Sequence, residues 1–123
     1  MATAMTPRYI TSQTEAAAVC VALTQQPLLG VDIETAALPT FAADPRAGLD
    51  PYRSRVRVVS VAAADCAYVF DMDTLHPSVL SPLAAVPWVA HNAVFEYKHL
   101  KRSGYAITPR LNDTQLIDRK SVV

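Results

Sequence analysis

A chain of 123 residues is long enough for one domain with one core and too short for two. Half of its residues are hydrophobic (51%), and that excludes a disordered chain. Eleven basic residues balance eleven acidic ones, so net charge neither favours nor excludes a nucleic-acid partner, because a neutral total can conceal a local basic track.

Residues 1–10 read as a loose lead-in. The stretch "SQTEAAAVCVALTQQP" predicts a helix, with capping-box spacing between Ser12 and Glu15 and Pro27 as its stop. "LLGVDIE" predicts a short buried strand. Residues 36–54 hold three prolines and read as a long loop, the kind that is often functional. "RVRVVSVAAA" and "AYVFDM" predict two strands in an antiparallel hairpin. "HPSVLSPLAAVP" predicts one or two helical turns, "WVAHN" a short strand, and Ala93 to Arg102 a helix. "LNDTQLIDRKSVV" reads as the start of another helix. This order predicts a single α/β domain over 1–123 with a mixed sheet, antiparallel first and then parallel through a crossover.

Cys20 and Cys66 lie in apolar surroundings without metal-type spacing and read as reduced thiols. With no signal-peptide pattern and no apolar run of membrane-spanning length, the expectation is a soluble cytoplasmic protein without a membrane partner.

Asp32 and Glu34 break the apolar run of the "LLGVDIE" strand. Side chains alternate along a strand, so both carboxylates share one face, while Val31, Ile33 and Thr35 share the other. Two such acids about 7 Å apart repel unless a cation lies between them. Mg²⁺ suits such a pair, because it takes one or two carboxylates together with water and phosphate. A solvated strand near a sheet edge accounts for the pair equally well. Further on, Asn92 has the position of a helix cap and Glu96 falls in the first turn, where the helix dipole favours an acid. That serves stability alone, or else aims Glu96 at Asp32 and Glu34 if "WVAHN" lies beside their strand.

Arg53, Arg55 and Arg57 alternate and are expected on one strand face, read as a solvated face ahead of a phosphate track. Lys98, Lys101 and Arg102 read as the outer face of a helix near its C-terminus. Phe95 and Tyr97 read as core residues, and His76, His91 and His99 as structural ones.

"VDIET" resembles the first motif, and "HNAVFE" the second, of the 3′–5′ exonucleases defined by four acidic metal ligands. "LPTFAADPRAGLDPYRSRVRVVSVA" is similar to proofreading domains of family A DNA polymerases, and "NDTQLID" resembles the Asp-Thr segment of those domains and of ribonuclease D. The resemblance implies a ribonuclease H-like fold, a five-stranded mixed sheet flanked by helices. It also implies phosphodiester hydrolysis at a nucleic-acid 3′ end by two divalent cations, Mg²⁺ or Mn²⁺. By position, Asp32 would bridge both ions, Glu34 would hold the ion that activates water, and Glu96 would serve the second ion. Thr35, Asn92 and Phe95 would contact substrate. The implied partner is a single-stranded 3′ end, DNA ahead of RNA.

The resemblance departs at two points. Glu96 stands where the family mostly has Asp. The third motif, a Tyr or His followed by a fourth Asp, has no match before Val123, since Asp113 and Asp118 match the Asp-Thr segment and its surroundings. The family fold is therefore expected to lack its C-terminal part. Self-association, or a completing polymerase chain, is the corresponding expectation. The alternative function is a catalytically degenerate exonuclease fold that binds nucleic acid or a protein.

Overall fold

The computed structural model describes residues 6–90, 93–102 and 111–113, with residues 93–97 and 111–113 described by their backbone only. Among them, the first helix, α1 (Gln13–Leu23), starts where the sequence predicts. Ser12 is extended and its Oγ accepts the Glu15 N–H at 3.3 Å. Ala16, Val19, Cys20 and Leu23 form its buried stripe at helical spacing. The helix ends before Pro27: the Thr24 hydroxyl donates to the Val21 carbonyl at 2.6 Å and closes the last turn.

Among the described residues six strands form one sheet: β1 (Arg8–Ile10), β2 (Leu29–Ala37), β3 (Ser54–Ala62), β4 (Ala67–Asp71), β5 (Trp88–Ala90) and β6 (Leu111–Asp113). Their order is β1-β4-β3-β2-β5-β6. β2, β3 and β4 are antiparallel neighbours, while β5 runs parallel to β2 and β6 parallel to β5. This is the expected mixed sheet of five strands, with β1 added in parallel on the β4 edge. Two readings are corrected. The lead-in contains β1, and the predicted last helix begins instead with strand β6; its remainder lies outside the described residues.

One face of the sheet carries the core. Val31 and Ile33 on β2 stand beside their partners Val61 and Val59 on β3, and Phe70 on β4 is fully buried. α1 and a 3₁₀ segment, Pro77–Ala85, pack together to close this core. Burying a side chain such as Phe70 contributes about 2–3 kcal/mol. Trp88 is buried as well, and its indole N–H donates to the Leu83 carbonyl at 2.9 Å, so no buried polar atom of that ring is unsatisfied. The second helix, α2 (Ala93–Arg102), adds Leu100 to the core.

A bulge interrupts the β2–β3 pairing. Glu34 faces Val58, but Thr35 faces Val56, so Arg57 is an extra residue on β3. The bulge takes Arg57 out of the regular alternation that Arg53 and Arg55 precede. Arg53 precedes β3 and clamps Asp44 and Asp50 at 2.9 and 3.3 Å. Arg55 pairs with Asp73, and Arg57 is exposed at the bulge.

Candidate metal and nucleic-acid site

Asp32 and Glu34 occupy the sheet face opposite the core. Both are exposed, while Val31 and Ile33 between and before them are buried. The strand alternation therefore separates packing from chemistry within four residues. The Asp32 Oδ1 atom accepts the Ile33 N–H at 3.0 Å, which orients that carboxylate. Among the described residues neither acid forms an ion pair. Ser60 lies across from Asp32, and both line a shallow cavity of about 320 Å³ on the open face, with Gly30, Ala62, Val69 and Val89.

β5 places the second acidic segment. Leu29 pairs with Trp88 and Gly30 with Val89, so continuing that register sets Ala90 level with Val31. α2 then starts at Ala93, three residues past the end of β5, and its first turn holds Glu96. Trp88–Ala90 of "WVAHN" does lie next to the strand of "LLGVDIE", which is the arrangement the functional reading of Glu96 needs. Phe95 is placed in the same turn. The side chains of Phe95 and Glu96 and all of Asn92 lie outside the described residues. Asp113 ends β6, paired with Ala90.

Thr35, expected to contact substrate, has its hydroxyl hydrogen-bonded within the chain. Its Oγ1 donates to the Gly48 carbonyl at 2.7 Å. That bond pins the 38–53 loop to β2, next to Glu34. The loop is not structureless: it contains 3₁₀ turns at Pro39–Phe41 and Ala47–Leu49. Asp44 accepts the Arg46 N–H at 2.9 Å and the Arg53 guanidinium at 2.9 Å, and these two contacts hold its carboxyl below the usual carboxylate range. Arg53 also lies over the Phe41 ring. A loop tied at this many points holds its shape beside the acids.

The loop also carries Tyr52, which is exposed and meets the Arg102 guanidinium at 5.2 Å from its ring centroid. Nothing in the sequence pattern singles out Tyr52, because the contact joins the loop to the far end of α2. His76 has a structural role, as expected: its Nδ1 accepts the Ser78 N–H at 3.2 Å and caps the 3₁₀ segment. His99 is buried. Cys20 and Cys66 are free thiols, and burial pushes Cys20 up to about 12.

No family model matches the sequence, and no curated protein matches it. Solved structures do. Over 93% of this chain, ribonuclease D of Escherichia coli superposes with a TM-score of 0.71 at 16% identity. The Nibbler EXO domain of Aedes aegypti matches 94% of the chain with a TM-score of 0.66 at 19% identity. The Trypanosoma brucei RNase D complex with RNA U12 matches 90% with a TM-score of 0.68 at 16% identity. The chain has the fold of the ribonuclease H-like 3′–5′ exonucleases. It spans 28%, 56% and 38% of the lengths of those three chains.

The donor chemistry of the acidic pair suits a hard divalent cation. Two exposed carboxylates share one strand face, and no described cation neutralises either. They form a pair: among the described residues no group of three or more His, Cys, Asp or Glu side chains gathers around a common point. Among the described residues no helix is long and apolar enough to cross a membrane.

Proposed function

We propose that this chain hydrolyses the terminal phosphodiester bond at the 3′ end of a single-stranded nucleic acid, using divalent cations held by Asp32, Glu34 and Glu96. The observation that carries this reading is the exposed pair of carboxylates, Asp32 and Glu34, on the open face of the central strand β2 and without an ion-pair partner among the described residues. Acids held so close together without a neutralising group cost stability, and a metal–phosphate ligand offsets that cost.

Asp32 would hold both cations, Glu34 the one that activates water, and Glu96 the second. Asp32 is kept in orientation by the Ile33 N–H. Thr35 fixes the loop that walls the site, and Phe95 borders the groove for the terminal nucleotide. Bound divalent metal supplies a water of lowered pKa and stabilises the charge on the leaving oxygen. Water adds to the terminal phosphorus, the P–O3′ bond breaks, and a nucleoside 5′-monophosphate leaves a strand shortened by one unit.

The Leu38–Ala62 segment favours DNA and a proofreading role, as in family A polymerases. The structural likenesses favour RNA, since the E. coli protein is described as an exoribonuclease and one T. brucei structure holds RNA. The deciding experiment offers end-labelled single-stranded DNA and RNA to the protein with Mg²⁺, Mn²⁺ or chelator, beside Asp32→Ala. Metal-dependent release of 3′ nucleotides that disappears in Asp32→Ala is the expected result, and the preferred polymer assigns the substrate. A folded protein that binds strands but trims neither polymer at any metal concentration refutes hydrolysis and leaves a binding module.

A further inference from the structure

Away from the acids, the 38–53 loop and the C-terminal half of α2 enclose two adjoining cavities. One, of about 710 Å³, is lined by Asp50, Pro51, Tyr52, Lys98, Lys101 and Arg102. The other, of about 500 Å³, shares Pro51, Tyr52 and Arg102 and continues over Leu38, Val56 and Met72. Each falls in the size range of ligand sites. The rim is cationic and the floor of the second cavity is largely apolar.

The acids in these walls are already engaged. Asp50 accepts the Tyr52 N–H at 2.9 Å and meets Arg53 Nε at 3.3 Å, while Asp73 pairs with Arg55. Tyr52 is 71% exposed, and Arg102 lies 5.2 Å from its ring centroid. Leaving an aromatic ring this open forgoes the burial that usually stabilises it. A base stacked on that ring, with phosphates beside lysine and arginine, is the chemistry by which single strands are held. The shelf is joined in sequence to the elements of the proposed site. Arg102 is six residues beyond Glu96 on α2, about 9 Å along the axis, and Tyr52 rides on the loop that Thr35 ties to the acidic strand.

We infer that Tyr52, Lys98 and Arg102 form a shelf that binds the single strand upstream of its 3′-terminal nucleotide, a base against Tyr52 and phosphates against the two cations. The inference rests on the exonuclease reading for its direction along the strand, but strand binding is measurable without hydrolysis.

The test measures fluorescence anisotropy of a 5′-labelled single-stranded dodecanucleotide and of a dinucleotide, in chelator, with the full chain. Variants are Tyr52→Ala, Tyr52→Phe and the double change Lys98→Glu with Arg102→Glu, each checked for an unchanged melting profile. Tyr52→Ala should weaken dodecanucleotide binding by about fivefold or more, and Tyr52→Phe should restore it. The double change should also flatten the dependence of log affinity on log salt by about 0.7 for each phosphate that the variant no longer neutralises. Dinucleotide binding should not change.

Dodecanucleotide binding that is absent in the parent protein, or equal in parent and shelf variants, overturns the inference. So does equal weakening of heparin binding by Tyr52→Ala, which would make the surface a general polyanion site without base stacking. Asp32→Ala separates the two proposals. If neither it nor the parent trims strands while the shelf variants still lose binding, hydrolysis fails and the shelf stands.

Discussion

Replacing Asp32 by Asn tests whether the acidic pair is there for packing or for metal. The change keeps the side chain's shape and leaves an oxygen that can still accept the Ile33 N–H, a bond of 3.0 Å in the parent. It removes one of two like charges on an exposed strand face. At a strand spacing of about 7 Å, in a water-like dielectric, that repulsion amounts to about 0.6 kcal/mol. Physiological salt roughly halves it. In chelator, Asp32→Asn should therefore melt at or slightly above the parent, by about 1–3 °C. Metal reverses the order. At a concentration one hundred times its dissociation constant, a bound cation stabilises the parent by about 2.7 kcal/mol, and the variant should gain much less. Thermal unfolding in chelator and across a Mn²⁺ titration reads both effects. A variant that is destabilised in chelator by more than about 1 kcal/mol would make Asp32 a structural residue. Equal metal responses in the two proteins would refute the metal site at this position.

Three further outcomes follow from local contacts. Thr35→Val removes the donor to the Gly48 carbonyl at 2.7 Å and should cost about 1 kcal/mol in urea unfolding; it should also speed proteolysis within residues 38–53, and an unchanged midpoint would show that the bond contributes nothing. Asp44 is favoured in its charged form by the Arg46 N–H and Arg53, which lowers its pKa from the ordinary 3.8. Its contribution is thus fully present above about pH 4 and lost as pH falls through the lower folded value; hydrogen exchange in the loop should rise across that acid range, and Asp44→Asn should abolish the step. Cys20, buried with its pKa pushed up to about 12, should resist alkylation at pH 8 in the native protein while Cys66 reacts. Equal labelling of the two would place Cys20 at the surface.

The elements with strong periodicity or clear punctuation were legible in the sequence. Ser12 marked the start of α1, the β-branched runs marked β2, β3 and β4, and the acids of "VDIET" stood out because they contradict the burial of their neighbours. What stayed hidden depends on partners distant in sequence. β1 is three residues long, too short for alternation to register, and its strand partner β4 lies about sixty residues away. β6 is equally short and is held by β5. Arg57 could not be recognised as a bulge because only the register with β2 shows it as an extra residue. For the same reason Arg53 and Arg55 were expected as a solvated row, whereas Asp44, Asp50 and Asp73 engage them across turns. Thr35 illustrates the limit at the site itself: its place in the motif was readable, but its bond to Gly48 depends on how the loop folds back.

The central claim is that Asp32 and Glu34 exist to hold divalent metal. It is tested most directly by crystals of the full chain grown with Mn²⁺ and a nucleoside 5′-monophosphate, and by the anomalous difference map they give. Manganese peaks should lie against the carboxylate oxygens of Asp32 and Glu34 and next to the phosphate. A well-ordered map with saturating Mn²⁺ and no peak at either carboxylate would contradict it.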